Sequence, residues 1–481
     1  MFVVRITICI FCVCFSFGSR AAWSIGPLYD EFSLTLAPGK RTEAAGPFFY
    51  SEEKESQRQI AVPPLYSRTC DPEVEAEEID ILYPLLTYDR FGGEYRFQIL
   101  QLFAFSGGKT QEENQKRRFT LFPIYFQERS EIPEFNYTAV FPFYGTLKNR
   151  LFRNEIHFVA FPLYSRTVKN DVVTSNYLFP IFHLRHGDGM QGWQFWPLVG
   201  AEHKDVTQRT NKYDEMEVVG GYDKLFVLWP IFFKNTLGIG TTNPVRELSV
   251  LPLFTTRHSP QRDSFTAPWP LGLTMVDDRE KKYHEIGCPW PFVVFARGEG
   301  KNTSRVWPFF SQASTTNLQS KFYLWPIYKY NRLFSPPLER ERTRILFFLY
   351  SDLTQKNLET GHQMRRVDLW PFYSFRRDVE GRQRLQILSL LEPFLPGNKS
   401  VERDYSPLWS IWRSENNPKT EASSQSLLWN LYRRDITASA KKTSVFFGMV
   451  QHESTAEQKR WRVFYIPFGG KKPAIAPTGK P

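Results

Sequence analysis

The residue types that bind metal ions are concentrated at one place in this sequence. His183, His186 and Asp188 lie within the segment HLRHGDG, and His203 follows in the next polar stretch. A metal site needs ligands that converge on one point. Residues three apart on a β-strand, as His183 and His186 are, project to opposite faces. The pattern therefore favours a turn flanked by histidines, and we predict no metal site and no cofactor.

No catalytic motif is evident in the chain. The sequence has no nucleophile elbow and no HExxH motif, and the glycines of residues 238–241 lack the lysine and the helix of a phosphate-binding loop. Carboxylates such as Glu339, Glu341 and Asp352 are plentiful, but no acid–base pair stands out among them. We predict that the protein is not an enzyme and has no catalytic residue. A secreted carbohydrate-active enzyme on a propeller remains an alternative, because the two carboxylates of a glycosidase are often distant in sequence.

Clusters of aromatic and basic side chains are the candidates for a binding surface. Residues 328–332 (YKYNR) and 409–413 (WSIWR) combine rings that stack on sugars with cations that contact lipid headgroups, although packed strands with charged rims show the same pattern. The net charge is +11, but lysine and arginine are spread along the chain rather than gathered in a dense run. We therefore expect envelope glycan, lipid or another envelope protein as partner, including association with a membrane, and no nucleic acid.

The first residues are typical of an export signal. Arg5 precedes the apolar run ITICIFCVCFSF, and the small residues Ser19 and Ala21 lie three and one positions before a cleavage site. The run is shorter than the ~20 apolar residues that span a bilayer. We predict a signal peptide over residues 1–21 and an exported protein of the periplasm or outer membrane.

Cysteine usage does not indicate redox or zinc chemistry. Three of the five cysteines lie in the expected signal peptide, which leaves Cys70 and Cys288, and the mature chain has no CxxC motif. These two thiols are compatible with one disulfide in an oxidising compartment or with two free thiols, and the sequence does not decide between them.

A repeated motif organises the chain: an aromatic or aliphatic residue, proline, and a second apolar residue. The prolines from Pro123 to Pro197 lie at steps of 19, 20, 18 and 17 residues. Apolar–polar alternation and polar turn residues fill the intervals, which is typical of antiparallel hairpins. We therefore predict an all-β fold of repetitive antiparallel hairpins. Clear copies are centred on Pro84, Pro123, Pro142, Pro162, Pro180, Pro197, Pro230, Pro252, Pro270, Pro291, Pro308, Pro326 and Pro371.

Two strand paths are compatible with this repeat. If each strand continues through its proline, the chain forms a meander of about 18–20 long strands, and if the proline marks a corner there are about twice as many short ones. On the long-strand path Tyr177 and Phe182 lie on opposite faces. Because exposed sheet edges must be hidden, we expect closure as a large barrel or a propeller-like array.

The predicted function follows from the export signal and the repeat. We predict a non-enzymatic cell-envelope protein, structural or binding glycan or lipid at the outer membrane. An integral outer-membrane β-barrel for transport or assembly is an alternative, favoured by the meander and the aromatic content but opposed by apolar residues on both faces beside each proline. The expected organisation is a signal peptide (1–21), an N-terminal segment (22–78), the β-repeat array (79–468) and a flexible tail (469–481).

The pattern resembles a known group of proteins. The stretches FPFYGTLKNRLFRNEIHFVAFPLYSR, NYLFPIFHLRHGDGMQGWQFWPLVG and YSPLWSIWR are similar to those of uncharacterised secreted bacterial proteins with Trp-Pro and Phe-Pro β-repeats. The resemblance covers most of the mature chain. That group has no assigned function, so the resemblance implies location only and identifies no site residue.

Overall fold

The computed structural model describes residues 25–109, 115–210, 214–456 and 458–468. The expected signal peptide at 1–21 and the expected tail at 469–481 lie outside the described residues. The chain is 61% strand and 4% helix, which confirms the predicted all-β class.

The strands are short and follow one another closely along the chain. The first are β1 (Asp30–Ser33), β2 (Gly39–Ala44), β3 (Phe49–Lys54), β4 (Gln57–Val62), β5 (Tyr66–Asp71), β6 (Ala76–Ile81), β7 (Leu86–Phe91), β8 (Glu94–Ile99), β9 (Phe103–Lys109), β10 (Gln115–Leu121), β11 (Tyr125–Ser130) and β12 (Tyr137–Val140). Next come β13 (Tyr144–Arg150), β14 (Arg153–Val159), β15 (Tyr164–Lys169), β16 (Val172–Tyr177), β17 (Phe182–Gly187), β18 (Met190–Phe195), β19 (Val199–Lys204), β20 (Thr207–Thr210), β21 (Met216–Val219), β22 (Gly221–Val227) and β23 (Phe232–Ile239). The third group is β24 (Val245–Val250), β25 (Phe254–His258), β26 (Arg262–Ala267), β27 (Leu273–Asp278), β28 (Tyr283–Gly287), β29 (Val293–Gly298), β30 (Lys301–Val306), β31 (Phe310–Thr315), β32 (Leu318–Tyr323), β33 (Tyr328–Ser335) and β34 (Leu338–Ile345). The last are β35 (Tyr350–Asn357), β36 (Gln363–Leu369), β37 (Tyr373–Arg377), β38 (Gln383–Ile387), β39 (Trp412–Asn417), β40 (Ala422–Leu427), β41 (Tyr432–Ile436), β42 (Ala440–Val445), β43 (Val450–Thr455), β44 (Lys459–Val463) and β45 (Ile466–Phe468).

Pairing order follows chain order throughout the main sheet. Within the described residues, 43 strands form one antiparallel sheet in which each strand pairs with the next. The one exception in this sheet comes after β19. There β20 and β21 form a separate hairpin, and β22 pairs with β19 in their place. The meander is therefore confirmed, and the number of strands corresponds to the path with about twice as many short strands.

The proline motif forms the turn between two strands rather than the middle of one. At the cis peptide bond before Pro230, Leu228 has a φ of 49° and the backbone N–H of Ile231 donates to the carbonyl oxygen of Leu228 at 2.7 Å. This is a four-residue turn with proline in its third position. The long-strand path is wrong, because the chain reverses at the proline. Tyr177 and Phe182, which that path places on opposite faces, pair directly across their turn.

Strand pairing does not close the sheet. Among the described residues, β1 pairs with β2 alone and β45 with β44 alone, and the strands do not divide into separate blades. The expected closure as a barrel or propeller-like array is therefore wrong. A meander closes only when its last strand pairs with its first, and here neither β1 nor β45 pairs with the other.

Most of the sheet is a single layer. The accessible surface is 31159 Å², whereas a compact protein of 56.5 kDa exposes about 18,500 Å². The larger buried apolar cluster consists of Tyr137, Ala139, Leu147 and Phe158. Cross-strand pairs and the backbone ladder, rather than one central core, therefore stabilise the fold.

The first strands are continuous with the rest of the array. The expected boundary at residue 78 falls inside β6, which pairs with both β5 and β7. The two cysteines within the described residues are free thiols: Cys70 lies in β5, and Cys288 is exposed in the turn before β29.

The two ends of the sheet contact each other through the same face. Successive cross-strand pairs connect Ala61 to Arg433 along one unbroken row, which defines the inner face of the sheet. On this face Thr35 donates to Asp435 at 2.7 Å, and the Arg433 guanidinium lies 3.4 Å from the centre of the Phe32 ring. The opposite side is called the outer face.

A helical connector between β38 and β39 adds to this contact. It contains α1 (Lys399–Asp404) and α2 (Ser406–Trp409). The side chain of Asn398 caps α1 by accepting from the Val401 backbone N–H at 3.0 Å. Pro407 lies in the first turn of α2, where a missing N–H is tolerated.

Arg403 of α1 links the connector to the first strands. Its side chain is 5% exposed. It donates to Thr69 at 2.6 Å and to Glu78 at 3.1 Å and forms an ion pair with Asp80. The Tyr50 hydroxyl donates to the backbone oxygen of Arg403 at 3.0 Å. A buried, hydrogen-bonded charge pair therefore connects residues more than three hundred positions apart.

Replacing Arg403 with methionine is expected to weaken the link between α1 and the first strands, because Asp80 would be left buried without its counter-charge. Breaking such a pair costs about 3–5 kcal/mol. Hydrogen exchange followed by mass spectrometry should become faster in β3 to β6 and in α1. It should change little in β26 to β31, since strands of a repeat array contact mainly their neighbours.

Two further variants make this test specific. Arg403→Met combined with Asp80→Leu removes both charges and should recover part of the lost protection. Arg377→Met, at an exposed arginine of β37, should leave exchange unchanged. Equal exchange in the wild type and Arg403→Met would contradict the assigned role of the ion pair.

Asp404, beside Arg403, makes the same junction sensitive to pH. Burial raises the pKa of Asp404 from 3.8 to about 6, against the opposing effects of the Ser67 hydroxyl and the Arg403 guanidinium. The pKa of Asp404 is higher in the folded state than in the unfolded state, so its protonated carboxyl group stabilises the fold. This stabilisation is fully present below the unfolded pKa and is lost as the pH rises through the folded pKa. The loss corresponds to about 3 kcal/mol.

Asp404→Asn is therefore expected to remove this pH dependence. The variant should match the wild type near pH 4 and be more stable near pH 7, by up to about 3 kcal/mol. Denaturant unfolding at both pH values measures the difference, with Asp378→Asn as the control, since an asparagine can still accept the backbone N–H of Arg382 there. Parallel pH profiles for Asp404→Asn and the wild type would show that the carboxyl group is not responsible.

Candidate functional site

Alternate turns of a meander lie on opposite edges of the sheet, and here the two edges differ in chemistry. All the clear proline motifs fall on one edge, called the apolar edge. Its turns are residues 45–48, 63–65, 82–85, 100–102, 122–124, 141–143, 160–163, 178–181, 196–198, 228–231, 251–253, 268–272, 288–292, 307–309, 324–327, 346–349, 370–372, 428–431, 446–449 and 464–465. The connector at 388–411 also lies on this edge.

The turns of the apolar edge contain no aspartate, glutamate, lysine, arginine or histidine, the connector excepted. The opposite edge, called the polar edge, carries many charges in its turns. They include Glu55, Glu73, Glu75, Glu131, Glu134, Asp171, Asp188, Arg279, Glu280, Lys281, Lys282, Glu299, Glu359, Asp378, Glu380, Arg382, Lys419 and Glu421. Among the described turns, and apart from the connector, charge is therefore segregated to one edge of the sheet.

Aromatic rings stack from turn to turn along the apolar edge. The ring centres of Trp307 and Trp325 are 5.8 Å apart, and those of Trp325 and Phe347 are 5.3 Å apart. Phe161 and Phe179 form a similar pair at 5.7 Å. Such tilted and edge-to-face pairs are favourable geometries for aromatic rings. The rings remain partly exposed: Trp307 and Trp325 each keep 40% of their surface accessible.

A row of apolar side chains on the outer face extends this surface from the turns onto the strands. Each member flanks an apolar-edge turn and pairs with the next member across the sheet. The first run is Val62, Tyr66, Ile81, Leu86, Ile99, Phe103, Leu121, Tyr125, Val140, Tyr144, Val159, Tyr164, Tyr177, Phe182, Phe195, Val199, Val227, Phe232, Val250 and Phe254. The second is Val293, Val306, Phe310, Tyr323, Tyr328, Ile345, Tyr350, Leu369, Tyr373, Ile387, Trp412, Leu427, Tyr432, Val445, Val450, Val463 and Ile466.

The inner face beside the same turns is different, because small and polar residues dominate it. The row that contains Ala61 continues through Ser67, Asp80 and Thr87, and farther along through Ser165 and similar residues. The sequence-based expectation of apolar residues on both faces beside each proline is therefore wrong. Several of the residues that suggested it belong to the turn itself and to neither face.

The histidines considered as metal ligands do not converge. His183 lies on the inner face 3.8 Å from a Glu202 oxygen, whereas His203 lies between Asp223 and Asp205, at 2.5 and 3.1 Å. The hydrogen bond to Asp223 is the main cause that raises the pKa of His203. Asp188 forms an ion pair with Lys204, with a distance of 2.8 Å between the carboxylate oxygen and Nζ. No group of three or more potential ligands forms within the described ranges.

The carboxylates considered as catalytic are paired with arginines on the outer face. Glu339 and Glu341 contact Arg332, and Asp352 contacts Arg365 at 2.8 Å. Each of the three carboxylates therefore takes part in an ion pair, and Arg332 is shared by two of them. The glycines of residues 238–241 lie at the end of β23 and in the turn that follows it.

A charged cavity of about 400 Å³ lies between the inner faces of the two sheet ends. Its walls include Arg41, which donates to Glu52 at 2.9 Å. Burial would raise the pKa of Glu415, but Arg413 and Arg384 outweigh it and lower that pKa to about 2. The cations and carboxylates of this cavity largely neutralise one another, so it contributes to joining the ends.

The apolar edge as a continuous surface was not predicted from the sequence. The signal was available in the turns, since none of the apolar–Pro–apolar motifs between residues 45 and 372 has a charged residue in its turn. Recognising it required knowing that the chain reverses at each proline, because only then do successive motifs fall on one edge.

No helix within the described ranges combines the length and hydropathy needed to cross a bilayer. Comparison with known proteins adds no identity to this geometry, since neither a family model nor a curated protein matches the chain.

Proposed function

We propose that this protein is an exported, non-enzymatic β-repeat component of the cell envelope, at the periplasm or outer membrane, that attaches peripherally to a lipid leaflet through its apolar edge. The observation that carries the proposal is the absence of charge from the apolar-edge turns, beside many charged turns on the polar edge. Export is inferred from the signal-like residues 1–21.

The exposed apolar area supports a binding role. Large continuous apolar surfaces on soluble proteins are characteristic of contacts with protein or membrane. Tryptophan and tyrosine are enriched where proteins meet the membrane–water interface, because their rings are amphipathic. Here Trp, Phe, Leu and Ile form the tips of the turns, and Tyr is frequent in the adjoining outer row.

The height of the apolar surface favours peripheral attachment over a membrane-spanning role. Most strands have six residues, which corresponds to about 20 Å, whereas the hydrocarbon core is about 30 Å thick. The continuous apolar surface comprises only the turns and the adjoining outer row. That height fits the ~5–10 Å to which interfacial proteins penetrate.

Three phenylalanines at the tips of apolar-edge turns offer a direct test. Phe143, Phe309 and Phe372 are 68%, 60% and 63% exposed. Replacing all three with serine should lower partition onto phosphatidylcholine vesicles roughly 100-fold, at about 1 kcal/mol per partly inserted ring. Vesicle flotation of the purified protein measures the partition, and exposed positions of this kind should leave stability nearly unchanged.

A matched control exists on the polar edge, where Leu151, Phe152 and Leu338 are 71%, 95% and 56% exposed. Their triple serine variant loses comparable apolar surface but should bind vesicles like the wild type. Equal losses for both triple variants would indicate non-specific hydrophobic binding. Retained binding by the apolar-edge variant would contradict the proposal.

Peripheral and integral attachment differ in native membranes. Alkaline carbonate is expected to release this protein from isolated envelope membranes, because only the edge of the sheet enters the leaflet. Immunoblots of pellet and supernatant measure the release. An integral barrel would stay in the pellet and migrate differently after heating, and that result would favour the alternative function.

A further inference from the structure

A cluster of four cations lies on the inner face of β33 and β34. The sequence of β34 alternates, so Arg340, Arg342 and Arg344 project to one face while Glu339 and Glu341 project to the other. Lys329 of β33 is the direct cross-strand partner of Arg344. Like charges in directly opposite positions are unfavourable in a sheet.

These cations lack a close acidic partner within the described ranges, although Asp368 attracts Arg342 from a greater distance. None of them forms an ion pair, whereas the acidic residues of β34 and β35 are satisfied on the outer face by Arg332 and Arg365. The neighbouring inner-face carboxylate, Asp368, is engaged by Arg366 at 2.7 Å and by Ser374 at 2.7 Å. The inner face therefore carries a net positive charge at this point, with five cations beside the single carboxylate of Asp368.

The electrostatics of Arg342 show the crowding. Burial lowers the pKa of Arg342 most, and the charges of Arg344, Arg340 and Arg366 lower it further, against the smaller opposing effect of Asp368. Its Nε atom is buried and has no hydrogen-bond partner among the described atoms. A bound anion at the guanidinium groups of this cluster would supply the missing counter-charge.

The cluster lies next to the apolar edge. Lys329 and Arg344 occupy the inner-face row nearest to that edge, one residue beyond Tyr328 and Ile345 of the outer apolar row. The adjoining turns, residues 324–327 and 346–349, read LWPI and LFFL. With these turns in the acyl region, the two cations lie at headgroup depth, and their long side chains reach the phosphates.

We propose that Lys329, Arg342 and Arg344 bind the phosphate groups of anionic lipids and give the apolar edge a preference for anionic membranes. The inference rests on the proposed function and names the lipid class that the same surface recognises. Two independent contributions, apolar insertion and electrostatic attraction, act together in stable peripheral binding. The net charge of +11 acts in the same direction at longer range.

The test compares vesicles of phosphatidylcholine with vesicles in which part of it is replaced by phosphatidylglycerol. The wild type should partition roughly 100-fold more strongly onto the anionic vesicles at low salt. This follows if each of the three cations strengthens the partition about fivefold. Lys329→Gln, Arg342→Gln and Arg344→Gln together should abolish that gain while leaving the weaker binding to phosphatidylcholine unchanged. High salt should abolish the gain for the wild type as well.

The control removes the same charge at the polar edge. Lys281→Gln, Lys282→Gln and Lys356→Gln together should keep most of the preference for phosphatidylglycerol, because these residues lie far from the leaflet. The cluster variant is expected to fold, since it removes mutually repelling charges, and Lys329→Gln with Arg344→Gln alone provides a milder version that should lose most of the gain. Equal loss in the cluster and control variants would overturn the proposal in favour of a net-charge effect.

Other outcomes separate this inference from the function on which it rests. If the wild type binds phosphatidylcholine and gains nothing from phosphatidylglycerol, the anionic-lipid inference fails and peripheral attachment stands. If neither vesicle binds, the proposed function itself fails. Binding of inorganic phosphate that depends on the same three residues, without a gain on anionic vesicles, would identify a soluble-anion site and overturn the lipid assignment.

Discussion

The backbone ladder between successive strands is the constraint on which the rest of this structure depends. Because each strand of the main sheet pairs with the strands before and after it, turns must alternate between two edges and side chains between two faces. A repeat of about eighteen residues contains two strands and two turns, so a motif that recurs once per period always returns to the same edge. The chemical difference between the two edges follows from this geometry.

A single-layer sheet places unusual demands on its apolar residues. Without a second layer, few side chains are withdrawn from water, and stability comes from backbone hydrogen bonds, cross-strand pairs and rings that stack along one edge. Trp307, Trp325 and Phe347 illustrate this, since each ring packs on the next and still keeps an open face. The same side chains that stabilise the turns therefore remain available to a lipid leaflet.

The two ends of an open meander are not joined by strand pairing, so other contacts must hold them together. Here the first strands meet the helical connector and the last strands through the inner face, where Arg403, Asp80 and Asp404 are withdrawn from water. Buried charges confer little net stability but favour one arrangement over others, because any alternative leaves a charge unpaired. The polar character of the inner face makes this junction possible, since two apolar faces would select no particular register.

Local sequence determined much of this protein. Aromatic content and alternation determined the all-β class, the proline spacing determined the repeat, and the alternation of arginine with glutamate in β34 placed Arg340, Arg342 and Arg344 on one face. The path at each proline was not determined, because an apolar–Pro–apolar segment is compatible with a continuing strand as well as with a turn. Only the tertiary structure decided that the sheet stays open and that Arg403 meets Asp80, 323 positions away. Such contacts depend on geometry accumulated over dozens of strands, which no local pattern encodes.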